Sequence, residues 1–253
     1  MKRRYKLLIG FIISGIILVL IFVFTKDRKI YYLSLGDGLS VGITSGRNNK
    51  SYGDYLSDYL KDKNVYEFYT KSFSNKNYRS TDLLNDLSNN KIIKINNKEI
   101  SIKHALIKAD IVTLSIGMND LYYKLNVANL YNLEDTDDIY KYIDEVMIDI
   151  NKLLYVLRKS CKEQIIVLGF YNPFINSNTM FSNMIEQAVV YANNTLREMV
   201  NKYDMTFVDL HDMFLANDNY LSKNNDIYPT VDGYYAIYKK IINLIDSKIL
   251  AKW

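Results

Sequence analysis

Five short apolar runs, separated by segments of helical period, leave this chain few folds to choose from. They are IYYLSLG (30–36), NVYEFYT (64–70), DIVTLSIG (110–117), QIIVLGF (164–170) and MTFVDL (205–210). Their length and their β-branched and aromatic content predict buried strands. Between them the period lengthens to 3.6: Ile139, Ile143, Val146, Ile150, Leu153 and Leu157 mark one face of a helix, with Thr136 as its N-cap and Asp137 and Asp138 at its positive end. Ile185, Ala188, Ala192, Leu196 and Met199 mark a second, and DGYYAIYKKIINLIDSKIL (232–250) a closing one. Strands alternating with helices imply a parallel sheet covered on both faces, so the expected fold is α/β, a three-layer α/β/α sandwich on five parallel strands. KIIKINNKEISI, Lys91 to Ile102, reads as a small peripheral hairpin. In such sheets ligands bind at the carboxyl ends of the strands, which directs attention to the residues that follow each one.

Ahead of the first strand, Leu7 to Phe24 carries no charged residue and would make a helix of roughly 27 Å, enough to span a bilayer. The run ends in IFVFTKDRK rather than in the small residues of a cleavage site, which predicts an uncleaved anchor. Lys2, Arg3, Arg4 and Lys6 outweigh Lys26, Arg28 and Lys29 with Asp27, placing the N-terminus in the cytoplasm and the remainder outside. The expected division is residues 1–29 as basic tip and anchor and 30–253 as one domain, with the membrane as a partner.

The net charge of +4 does not indicate nucleic acid. Residues 1–29 hold seven of the 32 Lys/Arg and one of the 28 Asp/Glu, leaving residues 30–253 near neutral at 25 against 27. No electrostatic footprint for a phosphate backbone remains. A single cysteine, Cys161, excludes an internal disulfide and a cysteine-rich zinc site. Asp209, His211 and Asp212 on one loop, without a second cluster, are too few for a metal centre, so neither metal nor cofactor is expected.

The segments after the strands are GDGLS (36–40), SNKNYRSTDLL (74–84), GMND (117–120), GFYNPF (169–174) and NDIYPTVDGY (225–234). In this order they resemble the SGNH or GDSL family of esterases and acylhydrolases, from Tyr31 to the last helix. The resemblance implies a flavodoxin-like sheet and a serine in the third place of the first motif that attacks an ester carbonyl. It also implies a histidine before the late proline as base and an aspartate three residues earlier to orient it. Those positions here are Gly38, Tyr228 and Asn225. Glycine has no nucleophile, a phenol keeps its proton at neutral pH, and asparagine has no imidazolium to stabilise. The implied oxyanion donors are the backbone N–H of Gly38, the backbone N–H of Asn77 and the side chain of Asn119, of which Asn77 stands where the family has glycine.

Read this way, the chain is a non-catalytic relative that binds an acyl-ester, glycan or lipid-type ligand, or a protein partner, at the cell envelope. The alternative is an active esterase with a rebuilt site drawing on Ser40, Asp226 or His211. Asp37 reads as a turn cap. Asp37 itself, Ser40 two residues beyond Gly38, and Tyr171 and Asn172 after the fourth strand are the four candidate pocket residues. His104 reads as a surface residue. Of the many tyrosines, Tyr171 and Tyr228 are better placed to line a cleft than Tyr122, Tyr123, Tyr234 or Tyr235.

Overall fold

The computed structural model describes residues 29–44, 47–127, 136–175, 180–221 and 227–248. The expected anchor at 7–24 and positions Asn225 and Asp226 lie outside them. Among the described residues no helix is long and apolar enough to cross a membrane.

Five parallel strands form the central sheet: β1 (Ile30–Gly36), β4 (Tyr66–Thr70), β7 (Ile111–Ser115), β8 (Gln164–Leu168) and β9 (Thr206–Val208). Their order across the sheet is β4-β1-β7-β8-β9. The chain therefore leaves β1 toward one edge and returns to its other side, which puts the topological switch point between β1 and β7. Strand residues alternate between two cores. Tyr31, Leu33 and Leu35 of β1 pack, with Val112, Leu114, Ile165 and Val167, in one apolar cluster; Ile30 and Tyr32 pack with Ile111, Ile166 and Leu168 in the other. Every residue of β1 is buried, as expected of a strand covered on both faces.

The first cluster is closed by α3 (Ser80–Ser88), α4 (Ile102–Lys108), α6 (Thr136–Ser160) and α7 (Met180–Lys202). The six positions from Ile139 to Leu157 that predicted a helical face are all buried there. The second cluster is closed by α2 (Tyr52–Asp62) and α9 (Val231–Lys248), through Leu56, Leu60, Ile237, Ile241 and Ile245. A hairpin of β5 (Ile92–Ile95) and β6 (Lys98–Ser101) lies apart from the sheet. Its two-residue turn places Asn96 and Asn97 at φ 48° and 62°, left-handed backbone that asparagine tolerates, which is why NN can close so tight a turn.

Two small strands, β2 (Ile43–Thr44) and β3 (Arg47–Asn48), follow the short α1 (Gly38–Val41) that leaves β1. At the switch point, Asp37 donates its N–H to Ser115 O at 2.9 Å, and Gly36 (φ 128°) lies against the same carbonyl. A Cβ at position 36 would sit 1.8 Å from Ser115 O, so only glycine allows β1 and β7 to meet here.

Candidate active site

The carboxyl ends of β1, β7 and β8 converge on a cavity of about 30 Å³, lined among others by Asp37, Ser115, Asn119, Tyr171 and Tyr228. That holds a water molecule or two, not an acyl or sugar group.

Gly38 and Tyr228 are spatially adjacent. A Cβ added to Gly38 would lie 2.4 Å from the Tyr228 hydroxyl oxygen, 2.5 Å from Cε1 and 2.6 Å from Cζ. The phenol occupies the space into which a nucleophilic side chain on this turn would project. Absence of a side chain at 38 and presence of a large one at 228 are thus a single packing arrangement.

The segment carrying Tyr228 is held from below. Tyr171, buried, donates its hydroxyl to Ile227 O at 2.7 Å and stacks on Phe214 with centroids 4.4 Å apart and planes at 16°. Tyr171 is therefore a strut and offers no exposed ring for sugar stacking. Removing its hydroxyl by Tyr171→Phe is expected to cost about 1 kcal/mol and to lower the urea midpoint, with the stacking retained; an unchanged midpoint would show that the strut contributes nothing.

Asp37 caps α1. Its Oδ1 accepts from Leu39 N at 3.1 Å and from the Ser115 hydroxyl. Burial pushes its carboxyl up to about 7 against the pull of these two donors, and the carboxylate of Asp120 nearby adds to the rise. Ser40 is fully buried, donating to Leu35 O at 2.7 Å and paired with the Tyr52 hydroxyl at 2.8 Å. It belongs to a hydroxyl cluster beneath the turn, with Ser34 3.3 Å from Tyr52, and does not line the cavity. The reason is geometric: α1 turns Ser40 back onto the strand that feeds it.

Two of the three expected anion donors, the Asn119 side chain and the Asn77 N–H, are engaged elsewhere. Asn119, on α5 (Met118–Val127), gives both amide hydrogens to loop carbonyls, Lys76 O and Tyr78 O, each at 2.9 Å. Asn77 is exposed, and its N–H is taken by Asn75 Oδ1 at 3.0 Å in an Asx turn. Asn119 thus pins the loop whose middle residue is Asn77.

Sequence reasoning missed the role of the last residue of GMND. Asp120 accepts from Ser80 N at 3.1 and 3.0 Å and from the Ser80 hydroxyl at 2.6 Å, tying the start of α3 to α5. Its place directly after Asn119 was the available signal. Glu186 was missed as well. It pairs with His211 Nε2, while His211 Nδ1 faces Asp212 Oδ1 at 3.3 Å. Both ring nitrogens of the best-placed histidine are thus engaged by carboxylates. Asn172, also buried, donates to Glu186 Oε2 at 3.0 Å and to Ser182 O at 3.1 Å, so it fastens α7 rather than facing the cavity. Asp209 is bound to Arg197 at 2.6 Å, and His104 is exposed. Among the described residues no group of His, Cys, Asp or Glu is arranged to hold a metal ion.

Beside the cavity lies a second, almost wholly apolar slot of about 40 Å³, sharing Met118, Phe170 and Tyr171 with it and reaching Ile143, Phe174 and Val189. Tyr122 lines this slot, with its hydroxyl buried and without a hydrogen-bond partner among the described residues. Burial holds that phenol above its ordinary range.

A flavodoxin-like sheet with GDG at the end of its first strand and GMND after its third defines an SGNH-type α/β scaffold. Residues 34–236 match the GDSL-like Lipase/Acylhydrolase family, and the chain belongs to it. Over 239 residues it is 24% identical to the uncharacterized protein YpmR of Bacillus subtilis (strain 168), covering 90% of this chain and 86% of that one. Among solved structures, the lipase Lip_vut3 from a goat rumen metagenome is similar at 18% identity with a TM-score of 0.69, covering 85% of this chain and 97% of the lipase. The acetylxylan esterase Axe2 of Geobacillus stearothermophilus gives 15% identity and a TM-score of 0.61, covering 87% and 96%. Variants of Axe2 with alanine in place of a histidine and of a serine are described as catalytic mutants.

Proposed function

We propose that this chain is a non-catalytic member of its family, anchored by residues 7–24 with its main domain on the extracytoplasmic side, that binds a ligand or partner at the cell envelope. The observation that carries the reading is the Tyr228 ring standing where the nucleophile of a GDSL enzyme would stand, above a glycine. A serine and a histidine are the groups whose loss defines the catalytic mutants of a structural neighbour, and neither stands at position 38 or 228 here. Two of the candidates for a rebuilt site support the same reading, because Ser40 is buried behind the turn and His211 is held between two carboxylates. An acyl-ester, glycan or lipid-type ligand fits the chemistry of the neighbours, a lipase and an acetylxylan esterase.

The test compares hydrolysis of a short-chain chromogenic ester by the wild type and by the Gly38→Ser, Asn225→Asp, Tyr228→His variant. The wild type is expected to give no turnover above buffer. The triple variant is expected to turn over slowly, about 10² to 10³ below a complete enzyme for each donor that Asn119 and Asn77 have committed elsewhere. Enzyme-like rates from the wild type would sink the proposal.

A further inference from the structure

All five strands of the sheet start at the same end of the molecule, and the helices that run back against them finish there. Backbone contacts join these ends: Ile30 N donates to Val65 O at 2.6 Å, Asp110 N to Tyr31 O at 2.9 Å and Gln164 N to Asp110 O at 3.2 Å. Arg158, at the end of α6, reaches Asp204 O at 3.3 Å.

This end is lined with cations: Lys61 and Lys63 at the end of α2, Lys108 of α4, Lys159 and Lys162 at the end of α6, and Lys202 of α7, all exposed. Among the described residues only Lys61 of these has a carboxylate partner, Asp58 at 3.0 Å. The acids at this end are Asp62, Glu67, Glu163 and Asp204, all exposed, and Asp110, which is buried and accepts from Tyr31 N at 2.8 Å. One basic residue per helix end is what the helix dipole alone accounts for. Lys63 and Lys162 lie beyond the helix ends, and four of the lysines are each stacked on a tyrosine: Lys61 on Tyr66, Lys63 on Tyr59, Lys159 on Tyr155 and Lys202 on Tyr203, at 5.3 to 5.5 Å. Tyr155 is 50% exposed, and Ile107, at the end of α4, is 73% exposed. Lysine over tyrosine with an isolated exposed aliphatic side chain is the composition that settles at a headgroup layer.

The chain ahead of β1 indicates what covers this face. Between the apolar run that ends at Phe24 and the first residue of β1 stand only Thr25 to Lys29. Five residues span at most about 17 Å fully extended, and the headgroup layer occupies roughly 5–7 Å of that. The amino end of the sheet then lies within about 10 Å of the headgroups, close to one Debye length at physiological ionic strength. The geometry points to this face as a docking surface for an anionic phospholipid bilayer, an inference that rests on residues 7–24 being the anchor. β1 carries the chain about 20 Å from Ile30 to Gly36, so docking turns the Gly38–Tyr228 end away from the membrane. Its ligand is then met in the envelope beyond the bilayer, as a glycan or soluble partner would be.

The experiment reconstitutes the full chain in nanodiscs of phosphatidylcholine alone or of equal phosphatidylcholine and phosphatidylglycerol, and follows acetylation of each lysine by mass spectrometry. Lys159, Lys162 and Lys202 are expected to react about threefold more slowly in the anionic discs, because a negative surface potential holds nearby amines protonated. Lys76, in the loop at the opposite end, should react equally in both. The difference should vanish in about 0.5 M salt, and Lys63 and Lys108 should lose it in a K159E/K162E/K202E variant whose unfolding midpoint is measured alongside. Incorporated protein with equal rates in the two lipids, or with Lys76 slowed as much as Lys162, overturns the docking surface and leaves the anchor standing. Protein that alkaline carbonate strips from the discs overturns the anchor, and this inference with it.

Discussion

Gly38→Ala is expected to destabilise the wild-type protein by about 1–3 kcal/mol, the cost of overpacking a filled site, and to stabilise a Tyr228→Ala background by about 0.4–1 kcal/mol. The first sign follows from the contacts of an added Cβ, 2.4 to 2.6 Å from three atoms of the phenol, which force the ring out of its place. The second follows from the backbone. Gly38 is the first residue of α1 and is not among the residues with positive φ, so alanine fits its conformation and restricts the unfolded chain. The difference between the two backgrounds is a coupling energy, read from urea unfolding of the four proteins in one cycle. Additive effects would mean that Tyr228 does not occupy the nucleophile's space, and the case for a non-catalytic site would lose its main support.

Asp37→Asn is expected to remove a pH dependence of stability on the order of 2–4 kcal/mol. Burial raises the Asp37 carboxyl to about 7 in the folded protein, while in the unfolded chain it titrates near its ordinary value of 3.8. Between these values the folded state holds a proton that the unfolded state has released. The stabilising contribution is therefore complete below about pH 4 and is lost as the pH rises through about 7. Asparagine keeps an acceptor for Leu39 N–H and caps the turn as well as aspartate does. The variant should be more stable than the wild type at pH 8, with the gap closing and then reversing toward pH 5. Parallel stability curves for the two proteins would show that Asp37 is ionised at the switch point despite its burial.

The two largest effects thus involve neighbouring residues of one turn, and they separate what such a turn retains from what it has lost. Asp37 and Gly36 build it: one caps α1, the other lets β1 and β7 approach. Both would be required with or without catalysis. Gly38 contributes only space, and Tyr228 fills it. Most of the residues of this GDSL motif thus hold the switch point together, whatever stands at position 38.

The sheet and its two cores were legible in the sequence because burial on both faces writes itself into composition. Ile30 to Gly36 is apolar throughout except for Ser34, and Ser34 hydrogen-bonds to Tyr52 inside the core. Helix faces were legible for the same reason, from Ile139 to Leu157 and from Ile185 to Met199, since a period of 3.6 is a one-dimensional record of a buried stripe. The positions of Gly38, Asn119 and Tyr228 were legible from motif order. Their contacts were not. Asn119 as a donor is a property of its amide, but the carbonyls of Lys76 and Tyr78 that consume its hydrogens arrive from a loop some forty residues earlier. Ser40 could be counted two residues from Gly38, yet only the path of α1 turns it onto Leu35 O. Glu186 carried no sequence signal at all, because α7 and the loop after β9 must pack before it meets His211.

By itself, then, the sequence determined the α/β alternation, the family, and the absence of serine and histidine from positions 38 and 228, since each depends on residue identity and order along the chain. Only the tertiary structure decided that the phenol of Tyr228 fills the space over Gly38, that the Asn119 amide is spent on a neighbouring loop, and that cations gather at the amino end of the sheet. These are relations between segments far apart in the chain. Their geometry is set by how strands and helices pack, which residue order constrains without stating.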